Sequence, residues 1–135
     1  MEGKNCWLPD EILGYTLGRI IKVQDGIALC QALNGVGDKY EIPTSQVLLV
    51  EPHDHYPDDN CALINLNEAT LLENVKQRYM KDKIYTYVAN ILIAVNPYYD
   101  IKGLYSREMI EEYKGKSLGV LPPHPFAIVT SFLNS

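Results

Sequence analysis

Short apolar and β-branched segments dominate the first 52 residues. In GYTLGRIIKVQDGIALCQAL, two such segments flank Asp25-Gly26, a dipeptide typical of a tight β-hairpin turn. The stretch NGVGDKYEIPTSQVLLVEP repeats the pattern. Asn34-Gly35 is a turn signal, residues 40–42 and 47–50 are strand candidates, and Pro43 breaks the chain between them. Four or five short strands in this length predict a small β-barrel over residues 1–52.

An acidic segment that contains prolines follows the β module. Residues 51–60, EPHDHYPDDN, hold two prolines, four acidic residues and two histidines, a composition that is not expected to form a packed element. The histidines and aspartates carry metal-ligand atoms, but no rigid element presets them for coordination. We therefore predict a solvated linker over residues 53–60 rather than a metal site.

The pattern then changes to helical spacing. NEATLLENVKQRYM predicts a helix over residues 67–80, with Asn67 as its N-cap. The face expected to point inward carries Leu71, Leu72, Val75 and Tyr79. Nothing on this helix requires a catalytic explanation.

Two strands and two short helices are predicted downstream. The apolar run IYTYVANILIAV predicts two strands separated at Asn90, the second of them buried on both faces. A helix is expected over residues 106–114, capped by Ser106 and ended by Gly115. The last helix is predicted over residues 124–135, with Pro125 in its first position and a shared apolar face at Phe126, Val129, Phe132 and Leu133.

Composition limits the classes of function. The chain of 135 residues is 47% hydrophobic and 21% charged, with a net charge of −5 and a pI of about 5.1. This acidic balance disfavours broad electrostatic binding to nucleic acid or anionic lipid, because both need clustered Lys and Arg. The apolar runs are shorter than the ~20 residues of a membrane-spanning helix, and the N-terminus lacks the apolar core of a signal peptide. A cytoplasmic location is expected.

The three cysteines predict neither a disulfide framework nor a zinc site. Cys6, Cys30 and Cys61 are widely spaced, odd in number and contain no Cys-x-x-Cys pair. We expect three reduced thiols that serve packing.

The segment GKSLG at residues 115–119 matches only the second half of a phosphate-loop motif. Ile110 stands where the first glycine of G-x-x-x-x-G-K-[ST] would be, and the segment follows a helix instead of a strand. It is interpreted as a helix cap and turn. The sequence also contains no recognisable Ser-His-Asp or Cys-His arrangement, so no catalytic residues are assigned.

The second apolar strand runs directly into Asn96-Pro97-Tyr98-Tyr99. Proline ends the strand and fixes the exit of the chain, and loops at strand ends are common ligand sites. Tyrosine rings offer stacking faces and hydroxyls, and Asn96 offers both a donor and an acceptor. This set suits an adenine ring, although a packed turn explains the same residues.

Residues 96–99 lie within a longer segment that resembles a known protein family. Residues 57–128 densely resemble the N-terminal part of a myosin motor domain, most like the class VI unconventional myosins. The matching segments occur in order: LNEATLLENVKQRY at 66–79, KIYTYVANILIAVNPY at 83–98, Tyr105, YKGKSLG at 113–119 and PPHPFAI at 122–128. Trp7, GYTLGRI and the acidic linker fit, more loosely, the SH3-like subdomain that precedes many myosin motor cores.

The resemblance implies a fold, a ligand and partners. It implies an α+β or α/β chain: an SH3-like β subdomain over 1–52, an acidic linker over 53–60, and over 61–135 the start of a P-loop NTPase-type motor core, truncated before the phosphate loop. The complete motor would bind Mg-ATP, actin filaments and calmodulin-type light chains, and would associate with the cytoskeleton. The purine-binding loop would hold the adenine of ATP through Asn96, Pro97, Tyr98, Tyr99 and Tyr105.

The departures from the family affect what this chain is expected to do alone. Myosins carry the phosphate loop, the two switches and the actin-binding cleft further along, and VTSFLNS replaces their charged helix after Ile128; a frame change, a retained intron or an early stop would give this ending. Because triphosphate binding needs the phosphate-loop amides, its Lys and Mg²⁺, the chain alone is expected neither to hydrolyse ATP nor to hold it tightly.

Two alternatives stay open at this point. The chain could be a short non-enzymatic binding module that uses its SH3-like barrel, with Tyr15 and Tyr40 as the aromatic candidates for a proline-rich ligand. It could also be a small adenine-nucleotide-binding protein, a reading weakened by the missing phosphate site.

Overall fold

A computed structural model describes residues 1–34 and 37–133, which form two compact units. The first unit comprises Met1–His53 with Ile64–Leu71, and the second comprises Asp54–Leu63 with the described residues from Leu72 onward. The strands and helices are β1 Asn5–Asp10, β2 Gly14–Gln24, β3 Ile27–Ala32, β4 Lys39–Pro43, β5 Leu48–Leu49, α1 Glu68–Tyr79, β6 Tyr85–Val88, β7 Ile91–Ala94, α2 Arg107–Tyr113 and α3 Pro125–Leu133. Two short 3₁₀ helices occupy Thr44–Gln46 and Asn60–Ala62.

The first unit is built on a five-stranded antiparallel sheet in the order β4-β3-β2-β1-β5. Alternate residues of the strands point to one side and form its buried core, composed of Cys6, Leu8, Ile20, Ala28 and Cys30. Gly18 lies against this core, and a Cβ at that position would stand 2.5 Å from Cδ1 of Leu8. The predicted β structure of this region is therefore confirmed at the level of its strands.

The β2–β3 hairpin turns at Asp25-Gly26, as predicted. Both residues have positive φ, 52° and 75°, the backbone that a two-residue turn needs to match the twist of its strands. The other predicted turn, Asn34-Gly35, falls partly outside the described residues.

The start of α1 confirms Asn67 as its N-cap. The side-chain Oδ1 of Asn67 accepts a hydrogen bond from the Thr70 amide at 2.9 Å, and the Asn67 amide donates to the Thr70 hydroxyl at 3.1 Å. Two backbone donors that the helix cannot use are satisfied in this reciprocal way.

The buried face of α1 differs from the predicted one. Besides Ala69, its buried side chains are polar, namely Thr70, Asn74 and Arg78, whereas Leu72 is 49% exposed. These three polar residues follow one another at four-residue intervals and so share a face. The apolar pattern failed because the segments that cover this helix present hydrogen-bonding groups.

Residues 57–60 supply many of those groups in the second unit, so this part of the expected linker is packed rather than solvated. Asn60 is fully buried; its Oδ1 accepts from Asn74, which also donates to the Pro57 carbonyl, at 2.9 and 3.0 Å. The backbone of the segment pairs with β6, since the Tyr87 amide donates to the Asp58 carbonyl at 2.8 Å. A composition that is polar throughout is packed here because its partners are polar too.

Arg78 makes three side-chain hydrogen bonds in this region. Its guanidinium is buried and donates to the Asp58 carboxylate at 2.7 Å, to the Thr86 hydroxyl at 3.0 Å and to the Tyr85 carbonyl at 2.9 Å. One side chain of α1 thereby joins the 57–60 segment to β6.

The strands β6 and β7 form an antiparallel hairpin. Ala89 occupies its two-residue turn with a φ of 54°, and Asn90 follows it, so the predicted interruption is a hairpin turn. The prediction that β7 is buried on both faces is wrong: Ile91 is 63% exposed and Ala94 is exposed. Within the described residues, β6 is the strand that pairs with β7.

Both helices near the end of the chain begin where predicted. The Ser106 hydroxyl accepts from the Met109 amide at 3.2 Å, and Gly115 follows α2 with a φ of 73°. Pro125 is the first residue of α3. Of the residues predicted to share an apolar face on α3, Val129, Phe132 and Leu133 are exposed and Phe126 is half-buried, whereas Ala127 is buried.

We predict that Arg78→Met lowers the free energy of unfolding by about 2–3 kcal/mol, since the substitution leaves buried acceptors on Thr86 and Tyr85 without their donor. Urea unfolding followed by circular dichroism measures the loss. Fluorescence of Trp7, the single tryptophan, reports on the first unit separately.

The matched control is Arg107→Met on the exposed surface of α2, for which a change within about 0.5 kcal/mol is expected. Equal losses for the two variants would contradict a special role for Arg78.

Candidate functional site

The loop that follows β7 begins with a local hydrogen-bonded turn. The Asn96 Oδ1 accepts from the Tyr98 amide at 2.8 Å, and Tyr98 has a φ of 60°. Asparagine side chains commonly close such turns by bonding the backbone two residues on. The turn leaves the Tyr98 ring 87% exposed, while Pro97 is half-buried.

Tyr99 is anchored outside the loop. Its hydroxyl donates to the Asp82 carboxylate, in the turn that precedes β6. This hydrogen bond is the main reason that the pKa of Tyr99 is raised above its ordinary value, because the carboxylate stabilises the protonated phenol. The Tyr79 hydroxyl on α1 makes a second, longer contact with the loop at the Asn96 carbonyl, 3.4 Å away.

Tyr105 is anchored on β6. Its hydroxyl pairs with that of Tyr85, and its ring packs edge-on against the rings of His124 and Phe126, at centroid distances of 5.7 and 6.3 Å. Burial, followed by the hydrogen bond to Tyr105, raises the pKa of Tyr85 to about 12. The other side of Tyr105 remains open, since the residue is 57% exposed.

His124 contacts the loop through the Leu104 carbonyl. Its ring is buried, with Nε2 2.7 Å from the Leu104 carbonyl and Nδ1 accepting from the Phe126 amide at 3.0 Å. Since a carbonyl can only accept, Nε2 carries the proton, and a neutral imidazole satisfies both contacts. The sequence analysis assigned no role to His124; the one local signal was its position immediately before Pro125, the predicted first residue of the last helix.

The five predicted site residues share one loop but do not form one bonded cluster. Asn96 and Tyr98 are joined directly, whereas Tyr99 and Tyr105 reach outward to Asp82 and Tyr85. In the part of the chain that the structure describes, no ring contact joins the three loop tyrosines to one another. The arrangement is an exposed aromatic surface with anchored ends.

A cavity of about 330 Å³ lies in the second unit, next to the anchors of this loop. Its wall is mixed, with aromatic and proline side chains beside acidic and basic ones. The wall includes Leu104 of the loop and three residues that hold the loop, namely Asp82, Tyr85 and His124. Its volume is at the lower end of the range of small-molecule sites.

The remaining candidate residues of the sequence lie elsewhere. In GKSLG, Gly115 ends α2 and Lys116 donates its amide to the Tyr113 carbonyl at 3.1 Å, which confirms a helix end and turn. In the first unit, the Tyr15 hydroxyl donates to Glu68 at 3.2 Å, and Tyr40 packs against the core.

Two of the three cysteines are buried and the third is exposed. Cys6 and Cys30 are buried and unbridged, and burial raises the pKa of the Cys6 thiol to about 12; Cys61 is exposed, so the expectation that all three thiols serve packing is wrong for this residue. Over residues 1–34 and 37–133, no three His, Cys, Asp or Glu side chains are grouped as metal ligands. None of the helices described has the length and apolar character needed to span a bilayer.

Comparison with known proteins gives a consistent result. The family described as Myosin head (motor domain) matches residues 57–134, more than half of the chain. The chain belongs to the myosin family. This match includes the whole loop after β7, its anchors on β6 and the His124 contact.

Individual myosins extend the likeness to the first unit. Unconventional myosin-VI of Homo sapiens is 49% identical over 128 residues, which cover 94% of this chain and 10% of that protein. Myosin heavy chain 95F of Drosophila melanogaster is 50% identical over 127 residues (90% and 10%), and Myosin-J heavy chain of Dictyostelium discoideum is 40% identical over 130 residues (94% and 6%). The chain spans about a tenth of the length of the first two.

We predict that Tyr105→Phe lowers the pKa of Tyr85 from about 12 towards 10. The variant removes the hydrogen bond of Tyr105 but leaves burial, the larger cause, so the pKa stays above 10. A pH titration of ¹³Cζ-labelled tyrosines by NMR measures the change.

A raised phenol pKa also means that the folded chain loses this stabilisation as the pH rises from about 10 through 12. Tyr98→Phe is the control, since Tyr98 is highly exposed and its loss should leave the Tyr85 titration unchanged. A Tyr85 pKa that is the same in both variants would contradict the pairing.

Proposed function

We propose that this chain is the N-terminal part of an actin-based myosin motor that uses ATP, and that residues 96–105 are its purine-binding loop. The observation that carries the proposal is the anchored aromatic loop after β7, located inside the segment that matches the myosin head. The adenine of ATP is the ligand assigned to this loop.

The chemistry of the loop suits a purine base. Tyr98 presents an open ring for stacking, which contributes about 1–3 kcal/mol per base in other proteins. Asn96 keeps its Nδ2 free of protein partners among the described residues while its Oδ1 closes the turn, so it can donate to a ring nitrogen. Pro97, Tyr99 and Tyr105 complete the proposed surface around the base.

Adenine stacking alone gives weak binding. In the complete motor, the triphosphate of Mg-ATP would be held by a phosphate loop and switches that belong to later parts of the myosin head. We propose that the chain by itself neither hydrolyses ATP nor retains it tightly, and that its role is to supply the base-recognition part of a larger site.

The two units have proposed places in that motor. The five-stranded order of the first unit, with β5 beside β1, supports an SH3-like subdomain over 1–52. Residues 61–135 are proposed as the start of the P-loop NTPase-type core, preceded by the 53–60 segment. Actin filaments and calmodulin-type light chains are the proposed partners of the complete cytoskeletal, cytoplasmic motor.

We predict millimolar binding of ATP to the isolated chain, with a Kd of about 1–10 mM. NMR of ring-labelled tyrosines during titration should shift Tyr98, Tyr99 and Tyr105, while Tyr40 in the first unit stays constant. Hydrolysis of ATP by the chain should not exceed the buffer rate.

Tripolyphosphate is the ligand control, because it carries the charge without the base and should leave the loop tyrosines unchanged. Tyr98→Ala should abolish the detectable ATP response, and Tyr40→Ala should retain it. Equal shifts with tripolyphosphate and ATP, or shifts confined to the first unit, would disprove adenine recognition by this loop.

A further inference from the structure

Tyr105 is held both through its side chain and through the adjoining backbone. The Tyr85 hydroxyl fixes the outer end of the side chain. The Leu104 carbonyl, in the peptide group that leads into Tyr105, accepts from His124 at 2.7 Å. These two contacts restrain both ends of the residue.

His124 connects this peptide to the rest of the second unit. Its ring is 2% exposed and lies 5.6 Å from Tyr85 on β6, 5.0 Å from Tyr113 on α2 and 4.3 Å from Phe126 on α3, between centroids. Its Nδ1 also accepts from the Phe126 amide in the first turn of α3. One imidazole therefore contacts two helices, a strand and the loop, with each nitrogen used for a different hydrogen bond.

The backbone before Tyr105 needs such an anchor. Gly103 has a φ of 79°, and a glycine in this conformation can readily adopt others. A ligand that bound a freely moving Tyr105 would have to order it, and that ordering reduces affinity. A preset Tyr105 avoids this loss.

We propose that His124 is a positioning residue for the loop, whose Nε2–H holds the Leu104 carbonyl and so fixes Tyr105 towards the bound base. What Tyr105 binds rests on the proposed function. The placing of Tyr105 by His124 rests on the contacts themselves and can be tested without any nucleotide.

Two substitutions distinguish the hydrogen bonds made by the two ring nitrogens of His124. In His124→Asn, the side-chain oxygen can replace Nδ1 as the cap of α3, but no donor reaches the Leu104 carbonyl. In His124→Gln, the longer side chain places an amide donor near the former Nε2, while the cap is weakened. If His124 has a purely structural role, the Tyr105 signal should change in the variant that loses stability. If it positions the loop, the signal should change in the variant that loses the donor to the Leu104 carbonyl.

The test measures thermal stability and the ring resonances of Tyr105 in tyrosine-labelled chains. We expect the Asn variant to melt close to the parent but to show a displaced, broadened Tyr105 signal. We expect the Gln variant to melt earlier but to keep the Tyr105 signal of the parent. A parental Tyr105 signal in the Asn variant together with a displaced one in the Gln variant would overturn the proposal.

Titration with adenosine measures the effect of each variant on binding of the base. The Asn variant should bind adenosine about fivefold more weakly than the parent, the change expected for one lost hydrogen bond, and the Gln variant should stay within about twofold. If the parent chain shows no response to adenosine, the proposed function fails, while the Tyr105 signals still decide the positioning role.

If both variants fail to fold, the tautomer of His124 in the unmodified chain tests the same contact. Long-range ¹H–¹⁵N NMR identifies the tautomer of His124. A proton on Nε2 with an unprotonated Nδ1, and a proximity signal from that proton to Leu104 or Tyr105, is the expected result. A proton on Nδ1 would overturn the proposal, because Nε2 could not then donate to the loop.

Discussion

The buried guanidinium of Arg78 is the interaction on which the second unit depends. It brings a charge into the interior, which is unfavourable unless every donor is satisfied and a counter-charge is close. The Asp58 carboxylate provides the counter-charge, and the Thr86 hydroxyl and the Tyr85 carbonyl accept two further hydrogen bonds. Because these acceptors come from two separate segments, the side chain specifies how α1, β6 and residues 57–60 fit together.

The position of the loop after β7 depends on this arrangement. Tyr85, whose carbonyl is bound by Arg78, uses its hydroxyl to hold Tyr105. Asp82, in the turn between α1 and β6, holds Tyr99. The hydrogen-bonded polar interior thus supports the exposed aromatic surface, because the residue that holds Tyr105 is itself held by Arg78.

Local signals in the sequence were sufficient for turns and caps. Asp25-Gly26, Asn67 and Ser106 act within a few residues of themselves, so their chemistry is readable from the chain. The polar face of α1 was not readable, because the partners of Asn74 and Arg78 lie up to 20 residues away. His124 was missed for the same reason, since its contact with Leu104 spans 20 residues. Residues 96–99 were singled out from their position after a strand and Tyr105 only from the resemblance to myosins, whereas the anchors of the loop were not predicted.

The outer edge of β7 has a consequence for how the chain behaves in solution. Residues 91–95 contain neither a charged residue nor a proline, and Ile91 and Ala94 of this strand are exposed, so the edge lacks the residues that usually block pairing. Any extended segment that adds to this edge binds the folded form in preference to the unfolded one. By mass action, the measured stability of the second unit should then rise with the concentration of that segment.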